Sequence, residues 1–188
     1  MLRLRLIVLV IARWWRAGTC CASASCWSRA SVACSSGTAA ARRYRFEELR
    51  DAGLSRVAVS LDGSTPDAHD AFRRVRGSHA HTMRILADVR SIGLPFQINT
   101  TVARQTVDDL PAIADIVCRS GAVLWALFFL IPVGRAQRDH ALGAERIEDV
   151  LKWASGLATH VPFGIKTTEA PHYHRVLAQQ AAHQPPDD

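Results

Sequence analysis

The sequence predicts an α/β protein, a partial parallel (βα) barrel of the TIM type with helices on its outer face. Three observations lead there. Between residues 46 and 177, short apolar runs alternate with helical patterns through brief links, which calls for parallel strands joined by right-handed crossovers. One run, Val123 to Ile131, is almost wholly apolar, as expected of a strand covered on both faces. Polar residues also gather where the strands end: Ser60 and Asp62, Asn99 and Thr101, Gly134 and Arg135, Thr168 and Glu169. Barrel enzymes carry their sites at that end. About four strands are legible, too few to close a barrel of six or eight. No Gly-x-Gly-x-x-Gly follows any strand, which argues against an open nucleotide-binding sheet.

Each element has a local reason. Glu47 to Ala52 reads as a helix stopped by Gly53, and Arg56 to Leu61 as a buried strand. Ser64-Thr65-Pro66-Asp67 starts a helix, with a capping hydroxyl, an early proline and an acid in the first turn. Ser78 is the expected cap of a second helix, whose Ile85, Leu86, Val89 and Ile92 share one face before Gly93. In the run from Phe96 to Val102, Phe96, Ile98, Thr100 and Val102 face one way and Gln97, Asn99 and Thr101 the other, the period of a strand. Asp108 and Asp109 precede Pro111, which opens a helix to Arg119 that ends near Gly121. Glu145 to Leu157 is helical and Phe163 to Thr168 is the last strand. Cys118, among Ile113, Ile116 and Val117, is expected to be a core thiol.

Composition divides the 188 residues into three stretches: a head (1–45), the barrel unit (46–177) and a tail (178–188) expected to be disordered. The net charge of +6 comes from the head, because residues 1–46 hold eight Arg and no Asp, Glu or Lys. The remainder has fifteen basic against seventeen acidic residues, so nothing points to a nucleic-acid face. The head also holds Trp14, Trp15, Trp27 and four of the five cysteines, and is expected to stand apart from the domain. Arg3 and Arg5 before the run Leu6 to Ala12 imitate an export signal. That run is far too short to span a bilayer, and no clean cleavage site follows. The expectation is a cytoplasmic protein with no membrane partner.

Four phrases in order carry a family pattern: "VAVSLDGSTPDAHDAFR", "GLPFQINTTVARQTVDDLPAI", "VLWALFFLIPVGRA" and "IKTTEAPHYHRV". Together, over roughly Phe46 to Val176, they resemble the radical S-adenosylmethionine (radical SAM) family. The resemblance is to the branch with a C-terminal SPASM-type auxiliary-cluster domain, which includes enzymes that modify peptides or tailor modified tetrapyrroles. It implies a six-stranded partial barrel, S-adenosylmethionine and a [4Fe–4S] cluster as cofactors, and an external electron donor. It also implies reductive cleavage of the sulfonium to a radical that abstracts hydrogen from a small-molecule or peptide substrate.

Carried over residue by residue, the resemblance puts Ser60 on the methionine or ribose part of the cofactor and Arg73 on its carboxylate. Asn99 falls on the ribose and Ile131 against the adenine. Asp62 is expected to cap the loop. Gln97, Glu169, His172 and Tyr173 are expected at strand tips facing substrate. No metal site is expected at His172 and His174, which lack a third placed ligand.

The sequence also departs from the family. A cluster needs thiolates at fixed spacing, Cys-x-x-x-Cys-x-x-Cys in this family. Cys20, Cys21, Cys26 and Cys34 do not fit, and no Gly-Gly-Glu appears. "SSGTAAA" at 35–41 is only weakly similar to a third-strand ending. The expectation is therefore a truncated radical SAM core, inactive alone. The alternative is a non-catalytic binding or scaffold domain derived from such a barrel.

Overall fold

The protein is described by a computed structural model covering residues 7–10, 46–131 and 138–183. Its strands are β1 (Ile7–Val10), β2 (Arg56–Ser60), β3 (Phe96–Val102), β4 (Leu124–Phe129) and β5 (Gly164–Thr168). They form one parallel sheet whose spatial order is the chain order. The helices are α1 (46–51), α2 (Pro66–Arg73), α3 (Ser78–Ser91), α4 (Leu110–Ser120), α5 (Ala144–Ala158) and α6 (Tyr173–His183).

Register sorts the strand residues into two faces. Val59, Ile98, Trp125 and Ile165 lie side by side in one row, and Ser60, Asn99, Ala126 and Lys166 in the next. Successive residues of a strand point to opposite faces, so the two rows are on opposite sides of the sheet. The first face is the core. Val57, Val59, Ile98, Trp125 and Leu127 are buried there with Ile85 and Val89 of α3, Ile113 and Val117 of α4, and Leu151 and Ala154 of α5. Trp125 meets Trp153 and Phe163 edge-on, with ring centroids 6.0 and 6.4 Å away. Each large apolar side chain among these contributes about 1.5–3 kcal/mol on burial, which fixes the register and so decides which residues the other face shows.

Several local expectations need correction. Ser78 does not cap α3: the cap position is Gly77, at φ 79°. Asp70 of α2 does the capping instead, accepting from Gly77 N–H, from His79 N–H at 2.8 Å and from the Ser78 hydroxyl at 2.8 Å. These bonds, His79 N–H first, hold the Asp70 carboxyl below the usual carboxylate range against a smaller opposing effect of burial. Cys118 is exposed, because the buried face of α4 runs through Leu110, Ile113, Ala114 and Val117 and position 118 is turned away from it. In the head, Ile7–Val10 belongs to the sheet rather than standing apart, pairing with Arg56–Val59; a short β-branched apolar run supplies what a parallel edge accepts. The rest of the head lies outside the described residues, with Cys20, Cys21, Cys26 and Cys34. The expected start of a disordered tail at 178 is also too early, since α6 continues to His183 through Ala and Gln, both good helix formers.

Candidate active site

Ser60 and Asn99 are register partners on adjacent parallel strands, on the face opposite the helices, Ser60 at the C-terminal end of β2 and Asn99 midway along β3. Ser60 is the last residue of β2, and Leu61 N–H donates to the Asn99 carbonyl at 2.9 Å, so the pair stays together as β2 leaves the sheet. Asn99 is 7% exposed. Gln97, two residues earlier on the same face, donates from Nε2 to Asn99 Oδ1 at 2.8 Å. The Asn99 amide is thereby oriented with Nδ2 as its donor end. Gln97 itself is not at a tip: it is the second residue of β3 and lies one layer deeper, beneath Asn99.

Beyond Ser60 the chain makes a tight polar knot. Asp62, 1% exposed, accepts from Thr101 N–H at 2.6 Å and pairs with Arg73, Nε to Oδ2 at 2.5 Å. Asp62 N–H in turn donates to His69 Nδ1 at 3.0 Å. Asp62 thus secures the loop, as expected, and does so by tying β2's exit to β3 and to the end of α2. The turn needs Gly63, because a Cβ there would come 2.4 Å from His69 N and 2.8 Å from Ala68 C, both backbone atoms. Thr65 caps α2, its hydroxyl accepting from Ala68 N–H. Thr100, on the core face, donates to the Leu61 carbonyl at 2.7 Å and accepts from Trp125 Nε1 at 2.9 Å, which anchors the site's floor to the core. Asp109 accepts from both the Ser64 amide and the Ser64 hydroxyl, each at 2.6 Å, joining the loops after β2 and β3.

His69 is the residue that sequence reasoning missed. It is fully buried, and burial pushes its imidazole down to about 4 against the upward pull of the Asp62 carboxylate. The neighbouring Arg73 and His79 add to the lowering. Since Nδ1 accepts a hydrogen bond, the ring is neutral with its proton on Nε2. His79 lies edge-on to it at 5.7 Å between centroids.

The remaining expected site residues divide. Arg73 is at this rim, engaged with Asp62. Ile131 is 45% exposed just beyond β4. Glu169 is exposed immediately after β5, at φ 63°, and His172 is half-buried. Tyr173 is turned into the hydrophobic core instead of facing outward, and its burial raises the phenol above its usual range. Its neighbours on α6 show why: Tyr173 and Val176 share the buried face while His174 and Arg175 are exposed. Gly134 and Arg135 lie outside the described residues. Among the described residues no group of three His, Cys, Asp or Glu side chains is arranged to hold a metal ion, and no helix is long and apolar enough to cross a membrane.

No family model matches the chain. Among curated proteins it is similar to the AdoMet-dependent heme synthase of Nitratidesulfovibrio vulgaris, 37% identical over 137 residues, which is 72% of this chain and 37% of that protein. This match supports a radical SAM family member, over part of its length. The chain also resembles the PqqA peptide cyclase of Ruegeria pomeroyi, 31% identical over 78 residues, 42% of this chain and 21% of that protein. Among solved structures, Streptococcus suis SuiB bound to S-adenosylmethionine matches with a TM-score of 0.53 at 11% identity, covering 66% of this chain and 29% of that one. That likeness shows a shared fold. The chain spans little more than a third of the length of the heme synthase it matches. Its relatives are enzymes, and membership implies S-adenosylmethionine and a [4Fe–4S] cluster as the family's cofactors. The Ser60–Asn99 pair has a donor set of the kind the first of these calls for, a serine hydroxyl beside an oriented amide. For the cluster the fit fails among the described residues, whose single cysteine, Cys118, is on the outside of α4.

Proposed function

We propose that this chain is the cofactor-holding middle of a radical SAM enzyme, with residues 46–177 as the barrel unit, and that by itself it does not turn over substrate. One observation carries the reading: Ser60, at the C-terminal end of β2, is in register with Asn99 in the middle of the neighbouring strand β3, with Gln97 orienting the Asn99 amide. Neighbouring strands are about 4.8 Å apart, so one polar ligand segment can engage both side chains at once. In this reading Ser60 holds the methionine or ribose part of S-adenosylmethionine and Asn99 donates from Nδ2 to a ribose hydroxyl. Ile131 offers an apolar surface to the adenine. Arg73, its Nε held by Asp62, contributes positive charge near the cofactor carboxylate. Beside a reducible cluster, bound S-adenosylmethionine would supply radical chemistry for hydrogen abstraction. The chain's own work is to bind, orient and shield it.

On the substrate side, Glu169 and His172 are the residues we expect to face it, with an external electron donor serving the cluster of the intact enzyme. Substrates of the class suggested by the names of the relatives are tetrapyrroles or peptides. We place the protein in the cytoplasm and expect no nucleic-acid or membrane partner.

Calorimetric titration of the full chain with S-adenosylmethionine tests the reading. Ser60→Ala and Asn99→Ala are each expected to weaken binding by about five- to tenfold, one lost hydrogen bond apiece, without moving the unfolding temperature. Equal binding by both variants, or no binding by the native chain, refutes it. Anaerobic reconstitution with iron and sulfide is expected to leave the chain nearly colourless. Stoichiometric iron whose spectrum responds to S-adenosylmethionine would show that the chain assembles its own catalytic centre.

A further inference from the structure

A cavity of about 440 Å3 opens at the C-terminal rim of the sheet, between α2, Gln105 after β3, and Leu130 and His140 after β4. Its apolar wall is Ala71, Phe72 and Leu130, and its polar lining is Arg74, Gln105 and His140. Leu130 continues the β4 pairing, its N–H donating to the Val102 carbonyl at 3.1 Å. By strand alternation it falls on the same face as Ala126, the row that holds Ser60 and Asn99. The cavity is therefore at the mouth above the proposed cofactor row.

Hydrogen bonds join the described parts of its surroundings. Arg104 N–H donates to the His140 carbonyl at 2.9 Å, joining the segments after β3 and β4, while the Ser64–Asp109 bonds join those after β2 and β3. Arg74 closes α2 with φ 54°, a left-handed position that favours glycine, and its N–H donates to the Ala71 carbonyl. An arginine there keeps a less favourable backbone where glycine would cap the helix more easily. What it adds is a guanidinium at the cavity edge.

We infer that this cavity is a substrate subsite for an apolar group ending in a carboxylate. The apolar part would rest on Phe72 and Leu130, and Arg74 would engage the carboxylate through its planar fork of N–H donors. Gln105 and His140 add hydrogen-bonding capacity beside it. The volume lies within the range of small-molecule pockets. The inference rests on the proposed radical SAM reading for its link to chemistry, but the binding itself requires neither cofactor nor cluster.

The test uses the full chain and two fragments, 3-phenylpropionate and its uncharged amide, followed by saturation-transfer NMR and by shifts of the protein signals. The acid is expected to bind at least about tenfold more tightly than the amide, as loss of a charge-assisted hydrogen bond implies. Arg74→Gly, which relaxes the backbone and removes the guanidinium, should erase that difference while leaving the amide unaffected. Arg74→Gln serves as a second variant with the same expectation. A third probe, a blocked Phe-Glu dipeptide, separates the sources: tighter binding than phenylpropionate indicates a peptide carboxylate, weaker binding a small-molecule one. Equal binding of acid and amide, an unchanged preference in both Arg74 variants, or no binding of the acid would overturn the inference. Because S-adenosylmethionine titration is read separately, such a failure leaves the cofactor reading standing, and the converse also holds.

Discussion

His69→Asn separates the role of the buried imidazole from that of its hydrogen bond. The asparagine Oδ1 can take the place of Nδ1 and accept from Asp62 N–H, but it cannot titrate. In the native chain the imidazole moves from its ordinary 6.5 to about 4 on folding. The unfolded chain therefore binds the proton first as pH falls, so stability is complete above pH 6.5 and is lost between 6.5 and about 4. Linkage over these two values gives a loss of about 2 kcal/mol between about pH 7.5 and pH 5, reaching about 3 kcal/mol below about pH 4. Urea unfolding followed by Trp125 and Trp153 fluorescence at several pH values across that window measures it. The relevant quantity is the difference between native and variant slopes, because Asp70 and Glu148, whose carboxyls are held low by their hydrogen bonds, lose stability in the same direction in both proteins. The His69→Asn variant should lack most of the loss that the native chain shows within the window. Parallel curves for the two proteins would refute the argument and mean that the imidazole charges without leaving its place.

Three further outcomes are expected. Asp62→Ala removes the partner of a mostly buried guanidinium and the acceptor of Thr101 N–H, and should cost about 3–5 kcal/mol in urea unfolding. Gly63→Ala pushes a methyl group into the backbone of His69 and Ala68 and should cost about 1–3 kcal/mol, with S-adenosylmethionine binding weakened because Ser60 shifts with the turn. Thr100→Val orphans the Leu61 carbonyl and the Trp125 indole N–H inside the core and should cost about 1–3 kcal/mol, with a shift in tryptophan emission reporting the altered indole.

The parts of the fold that are legible in sequence are those where a local pattern meets a simple boundary. Alternation in Phe96–Val102 assigns Asn99 and Gln97 to one face because a strand's period is two and one face is core. The same alternation, joined to β2, is enough to anticipate that Ser60 and Asn99 stand side by side. What escapes reading is set by partners far away in sequence. His69, in the polar string "DAHDAFR", looks solvated until Asp62 turns back onto it. Ser78 looks like a cap until Asp70 of the preceding helix takes that work. Cys118 misleads for a different reason: apolar neighbours in sequence do not make a residue buried, since a helix buries residues three and four apart, and Ile113, Ala114 and Val117 already fill that stripe. Gln97 has the polar character of a tip residue, but its place near the start of β3 outweighs its type.

A sheet whose spatial order repeats its chain order resembles a stack of tiles more than a clasp. Among the described residues each strand hydrogen-bonds to the one before and the one after it, with a helix laid across each junction from β2 onward. The free energy of such an array is close to a sum of terms between adjacent units. Removing an end unit subtracts one junction and leaves the inner ones intact. The Ser60–Asn99 pair spans the β2–β3 junction, one step in from the β1 edge and two from the β5 edge. The pair is thus insulated from fraying at either margin, and a sheet of this kind can gain or lose outer strands without redrawing the register of its inner ones.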